Sequence, residues 1–303
     1  MVERRGGVTP PRPPRRTPKA VVYRRRLVAI AVVAAAFLIA WFAVAGVGGN
    51  DERRAPTTTA AVAPPKPFRI VFPEGFTREQ MAQRVTAVAG IARRERGKRV
   101  RLNADNYLAA TAGRRREPGF GSAALPLEGF LFPATYDFTV RTTSARLVAA
   151  QLQAFRRNWA KVDLRYADSK NLTPYDVLII ASMVEKEASA PGERQLVAAV
   201  IYNRLHARMN LGIDSTLRYG LHIPPTESIH QSQLDNPTPY NTGKHPGLPP
   251  TPIASPGLAS LQAAAHPAKV DYVYFVRKPD KRHHYFTASF AAFQHYKATH
   301  GYR

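Results

Sequence analysis

The longest departure from polar and apolar alternation is residues 27–48, a run of 22 residues with no charged side chain. At about 1.5 Å per helical residue it covers roughly the 30 Å of a bilayer's hydrocarbon core, so the pattern predicts a transmembrane helix. Arg24, Arg25 and Arg26 stand directly before the run, and Asp51 and Glu52 are the first charges after it. The positive-inside rule then puts residues 1–26, a Pro- and Arg-rich tail expected to be disordered, in the cytoplasm. The protein is expected in the cytoplasmic membrane as a single-pass chain with its C-terminal part outside. A cleaved signal peptide is the competing reading, because Ala43-Val44-Ala45 has the small residues of a cleavage site. The run exceeds the usual apolar region of roughly 7–15 residues, and both readings export the same domain. Residues 49–67, mainly Gly, Thr, Ala and Pro, predict a flexible linker.

Beyond the linker the periodicities are those of short strands and amphipathic helices. Residues 68–72 read as a strand. Thr77-Arg78-Glu79-Gln80 reads as a helix start, with Thr77 at the N-cap and Gln80 closing a capping box. A second helix begins near Asn103-Ala104-Asp105, and this small α/β segment, 68–116, ends in Arg114-Arg115-Arg116. In the remainder, 117–303, helical spacing covers 143–159 and 193–208. Between them Thr173-Pro174 opens a helix that ends at Glu187, with Asp176 in its first turn. Residues 210–257 are too rich in Pro, Gly, Asn and Thr for regular elements. Residues 271–277 alternate as a strand with 285–287 as a partner, and the C-terminus reads as helical. The fold class is α+β.

Charge and composition narrow the partners. The formal net charge is +23, and the tail and linker account for only part of it: residues 1–66 hold 12 Lys and Arg against 3 Asp and Glu, the rest 32 against 18. A basic external domain suits a polyanion, whether nucleic acid, an anionic membrane surface or a wall polymer. Exported topology and the lack of a recognisable binding motif argue against nucleic acid. With no cysteine, disulfides, thiol nucleophiles and Cys metal sites are all excluded.

The sharpest chemical anomaly is Glu185-Lys186-Glu187 at the end of a helix apolar on every side. At about 100° per residue the two glutamates point to opposite sides, so they cannot form an acid/base pair and at most one faces a given cleft. Apolar surroundings would raise that carboxyl's pKa, as a general acid near neutral pH requires. Alternatively, both close the helix and pair with Lys or Arg. Glu128 lies in an aromatic turn segment that could stack sugar rings or simply bond a turn. Asp214-Ser215-Thr216 and Tyr240-Asn241-Thr242 bring hydroxyls, an amide and a ring to the long loop, groups that suit carbohydrate and ordinary turns alike. His283-His284 lacks the ligand set of a metal site, and no Gly-rich phosphate loop or Gly-x-Ser-x-Gly elbow is present. No metal and no cofactor are expected.

Several of these segments together resemble the endolytic murein transglycosylases, the YceG-like (MltG) family. The resemblance rests on Leu127-Glu128-Gly129-Phe130-Leu131-Phe132-Pro133-Ala134-Thr135-Tyr136, Ala181-Ser182-Met183-Val184-Glu185-Lys186-Glu187, Ile201-Tyr202-Asn203-Arg204-Leu205, Tyr240-Asn241-Thr242, Gly247-Leu248-Pro249-Pro250 and Ala264-Ala265-His266-Pro267-Ala268-Lys269. It implies that 68–116 is a LysM-like subdomain and 117–303 the catalytic domain. It also implies an enzyme that cuts peptidoglycan glycan strands between N-acetylmuramic acid and N-acetylglucosamine without water, leaving 1,6-anhydro ends. Glu187 takes the catalytic role by its place in the motif, with Glu185 as the fallback acid. Glu128, Asp214, Ser215, Thr216, Tyr240, Asn241 and Thr242 are expected substrate contacts. The expected partners are glycan strands, the cytoplasmic membrane and peptidoglycan synthases. Gly212 and Gly243 stand where the family usually has a polar residue and a Tyr. The competing expectation is a non-catalytic, membrane-anchored wall-binding or division scaffold.

Overall fold

The computed structural model describes residues 67–97 and 99–301. The expected tail, the transmembrane helix at 27–48 and all but the last residue of the linker lie outside the described residues. Among the described residues, no helix is long and apolar enough to cross a membrane.

The architecture is mixed α+β: helices around one apolar core, with two antiparallel two-stranded ribbons. Strand β1 (Phe68–Val71) pairs with β2 (Thr135–Phe138), Ile70 opposite Tyr136, and so joins the small N-terminal α/β segment to the chain beyond residue 117. Between them lie helix α1 (Arg78–Arg96) and helix α2 (Ala104–Ala112). Helix α1 has the capping box that the sequence predicts, the Thr77 hydroxyl accepting from the Gln80 N–H while the Gln80 side chain accepts from the Thr77 N–H, and α2 starts at Asn103, whose side chain accepts from the Asn106 N–H. Helix α3 (Ser144–Trp159) follows with Thr143 as N-cap, then the single turn α4 (Arg165–Asp168).

Helix α5 (Pro174–Glu187) runs through the apolar core, and every residue from Val177 to Val184 is buried. Its start is fixed locally: the Asp176 N–H donates to the Thr173 hydroxyl, and the Asp176 carboxylate accepts from the Thr173 N–H and hydroxyl. A 3-10 turn (Pro191–Glu193) leads into α6 (Arg194–His206). Helix α9 (Leu258–Ala265) packs against both α5 and α6. Nothing in the periodicity announces α9, since an eight-residue stretch buried on most sides shows no polar face.

The loop region differs from expectation. Residues 210–257 hold two short helices, α7 (Asp214–Gly220) and α8 (Gln231–Leu234). Helix α7 is held from outside itself: the Thr242 hydroxyl accepts from the Ile213 N–H and meets the Thr216 hydroxyl at 3.0 Å. Strand β3 (Tyr274–Arg277) pairs with β4 (His284–Thr287), and α10 (Phe290–Thr299) follows. β3 starts later than the alternation at 271–277 suggests, because Asn203 and Arg204 of α6 take the carbonyls of Val270, Tyr272 and Val273.

Candidate active site

The C-terminal turn of α5 sends its two glutamates into different surroundings. The Glu185 carboxylate accepts the Gly257 N–H at 2.9 Å, with the Arg194 guanidinium at 4.0 Å, and its side chain is buried. Desolvation, and after it the Glu185 charge, raise the pKa of neighbouring Glu74. A Cβ on residue 257 would lie 1.8 Å from the Glu74 carboxylate, so a larger residue there would push that side chain out of its place. Glu185 thus fastens the start of α9 to the end of α5.

Glu187 turns the other way, into a cleft of about 880 Å³ shared with Asp214, Ser215, Tyr219, Arg277 and His284. Burial pushes its carboxyl above the ordinary carboxylate range. The nearby Ser215 hydroxyl opposes that rise, the Asp214 charge adds to it, and Arg277 and His284 restrain it. Ser215 Oγ is buried and, among the described residues, has no hydrogen-bond partner of standard geometry, so it lies beside the acid without being committed elsewhere. The arrangement provides a carboxyl that holds its proton more tightly than an exposed one, with the Arg277 guanidinium close enough to stabilise the carboxylate once the proton has gone.

Of the other expected contact residues, Asp214 and Ser215 line this cleft, whereas Glu128, Thr216, Tyr240, Asn241 and Thr242 do not. Thr216 and Thr242 are buried in the bonds that hold α7. Asn241 donates to the carbonyls of Leu234 and Asn236, and the Tyr240 hydroxyl bonds Thr251. These four set the loop that carries Asp214 and Ser215. Gly212 does line the cleft, with a left-handed φ of 55°, and leaves the wall there without a side chain.

Glu128 is buried under the cleft, accepting the Arg78 N–H and the hydroxyl of Tyr219. Burial pushes its pKa up to about 7, against the lowering effect of the Arg78 N–H. The unfolded chain releases this proton near 4.5, the folded protein near 7, so stability present below the lower value falls as pH rises through the window, by up to roughly 3 kcal/mol. Glu128→Gln is expected to flatten that part of the stability curve, measured by urea unfolding on either side of the window. An unchanged slope would mean that Glu128 is ionised throughout.

Sequence reasoning missed Tyr219, Arg277 and the cleft position of His284. Arg277 and His284 face each other in the register of the β3–β4 ribbon, and the ribbon itself was legible. What brings it to the end of α5 is contact between elements far apart in sequence, which no local pattern records.

Comparison with known proteins gives a consistent picture. The YceG-like family matches residues 53–299. An endolytic murein transglycosylase of Bacillus subtilis is 37% identical over 155 residues, 50% of this chain and 42% of that protein. One from Streptococcus pneumoniae is 34% identical over 234 residues, 68% of this chain and 40% of that protein. The chain thus spans about two fifths of the length of these curated relatives. The crystal structure of a putative YceG-like protein from Listeria monocytogenes superposes with a TM-score of 0.61 at 30% identity, covering 76% of this chain and 75% of that one.

Proposed function

The chain belongs to the YceG-like family, and from that premise we propose that it is a membrane-anchored lytic transglycosylase that cuts within peptidoglycan glycan strands and so limits their length. Two curated relatives carry the name endolytic murein transglycosylase, which supports the substrate class. The observation that carries the reading is Glu187, a desolvated carboxyl in a cleft lined by Ser215, Arg277 and His284. Glu187 gives its proton to the glycosidic oxygen as the bond to C1 breaks. As carboxylate it then takes the proton of the muramoyl C6 hydroxyl, whose oxygen closes on C1, so the acid is regenerated and no water is consumed. The uncharged run at 27–48 would anchor the chain in the cytoplasmic membrane with the cleft outside, where peptidoglycan synthases could feed it new strands.

Asp214 favours a second reading. It is another carboxylate in the same cleft, and ordinary glycoside hydrolases use two. Digestion of wall sacculi with the full-length protein in detergent, followed by mass spectrometry of the ends, separates the readings. Anhydro ends, lighter by one water, are expected. Reducing ends alone would make it a hydrolase, and binding without digestion would make it a wall-binding scaffold.

The raised pKa of Glu187 also fixes the direction of the pH dependence. The reaction starts from the protonated acid, so kcat/KM is expected to fall as pH rises through that raised value. Asp214→Asn removes a charge that raises it and is expected to move the limb to lower pH. A limb that stays put would place Asp214 too far away to matter.

A further inference from the structure

Glu193, at the end of the 3-10 turn, and His284, at the start of β4, meet 91 residues apart in sequence. The His284 N–H donates to one carboxylate oxygen of Glu193 at 2.9 Å, and ring Nδ1 lies 2.7 Å from the other. The His284 side chain is buried, 2% exposed, that of Glu193 is 12% exposed, and the rings of Phe275 and Phe286 meet the imidazole edge to face. A carboxylate can only accept, so the shared proton sits on Nδ1, and Nε2 is the nitrogen left for another partner. The same imidazole forms part of the wall of the Glu187 cleft and lies near enough to interact with the Glu187 carboxyl.

We propose, building on the glycan-cleaving function above, that Glu193 orients His284 so that Nε2 accepts a hydrogen bond from a hydroxyl or amide N–H of the sugar that Glu187 attacks. Glu193 acts through His284 as a positioning residue, and His284 touches the substrate. The pair thus adds a substrate-orienting acceptor to a site whose chemistry runs through Glu187.

Glu193→Gln tests this because glutamine has a single acceptor. Its oxygen is expected to keep the His284 N–H, and its amide then faces Nδ1 as a donor. That drives the ring proton to Nε2 and turns that nitrogen from an acceptor into a donor. With full-length protein in detergent and release of glycan ends as the assay, kcat is expected to fall on the order of 100-fold, the upper end of what losing a partner that orients a histidine costs, with KM changed much less. Glu193→Asp keeps two acceptors and is expected to recover part of the rate. A nitrogen-15 spectrum of the histidine rings is expected to show His284 protonated on Nδ1 in the wild type, a readout that needs no variant to fold. Wild-type kcat in Glu193→Gln, or the opposite tautomer in the wild type, overturns the proposal. A wild type that releases no glycan ends overturns the proposed function and this inference with it, whereas an active wild type with an unaffected variant overturns the inference alone.

Discussion

Glu187→Gln is expected to lower the release of anhydro ends by at least about 100-fold, the lower end of what a general acid contributes, while leaving the fold intact. The amide matches the carboxyl in shape, so the cleft walls keep their contacts, but it has no proton to give to the glycosidic oxygen. Removing a desolvated carboxyl beside Asp214 also relieves a strained electrostatic arrangement, so the melting temperature is expected to stay level or rise, as it commonly does where a site is built at the expense of stability. Glu185→Gln is the matched control. It retains an oxygen to accept the Gly257 N–H and lies on the other side of α5, so activity is expected to remain near wild type. Both variants can be followed by mass spectrometry of sacculus digests and by thermal unfolding. A reversal of the two phenotypes would move the acid to Glu185 and remove the cleft from the mechanism.

The largest stability effect is expected at Gly129→Ala. Gly129 has φ of 87°, a conformation that costs a residue with a Cβ about 1–2 kcal/mol. The added methyl would also lie 2.6 Å from Pro252 Cβ and 2.7 Å from Pro252 Cγ, a ring that cannot swing aside, with Leu178 of α5 at 3.4 Å. Overpacking of this kind costs about 1–3 kcal/mol more. A total near 3 kcal/mol corresponds to a fall of about 6–12 °C in melting temperature for a folded part of this size. The strain would also reach the site, because Pro252 precedes Ile253, a residue of the cleft wall whose N–H is held by the Ser182 hydroxyl. Gly113→Ala serves as the control, with nothing within 4 Å of its Cβ, and is expected to be neutral. Thermal unfolding of the two variants decides the matter, and a Gly129→Ala protein that melts with the wild type would show that the turn around Glu128 can move away from Pro252.

The features that were legible in the sequence share a short range. Thr77 and Thr173 each cap a helix by bonding a backbone N–H three residues on, so residue type and spacing suffice to find them; Asn103 and Thr143 do the same where the periodicity places two further helix starts. The β3–β4 ribbon was visible for the same reason, as alternation on either side of a short connection. Helix α7 was not, because Thr242 secures it across 29 residues of sequence, and α9 was not, because burial on most sides erases the polar face that would mark it.

The α+β class, the starts of the capped helices and the opposed directions of Glu185 and Glu187 therefore follow from the sequence alone, since helix geometry is set by the local backbone. Which glutamate meets a cleft does not follow from it. That was decided by the arrival of Gly257 and Arg194 on one side of α5, and of Asp214, Ser215, Arg277 and His284 on the other. A carboxyl's proton affinity depends on what surrounds it in space, and those surroundings come from segments up to about a hundred residues away, assembled only when the core around α5 closes.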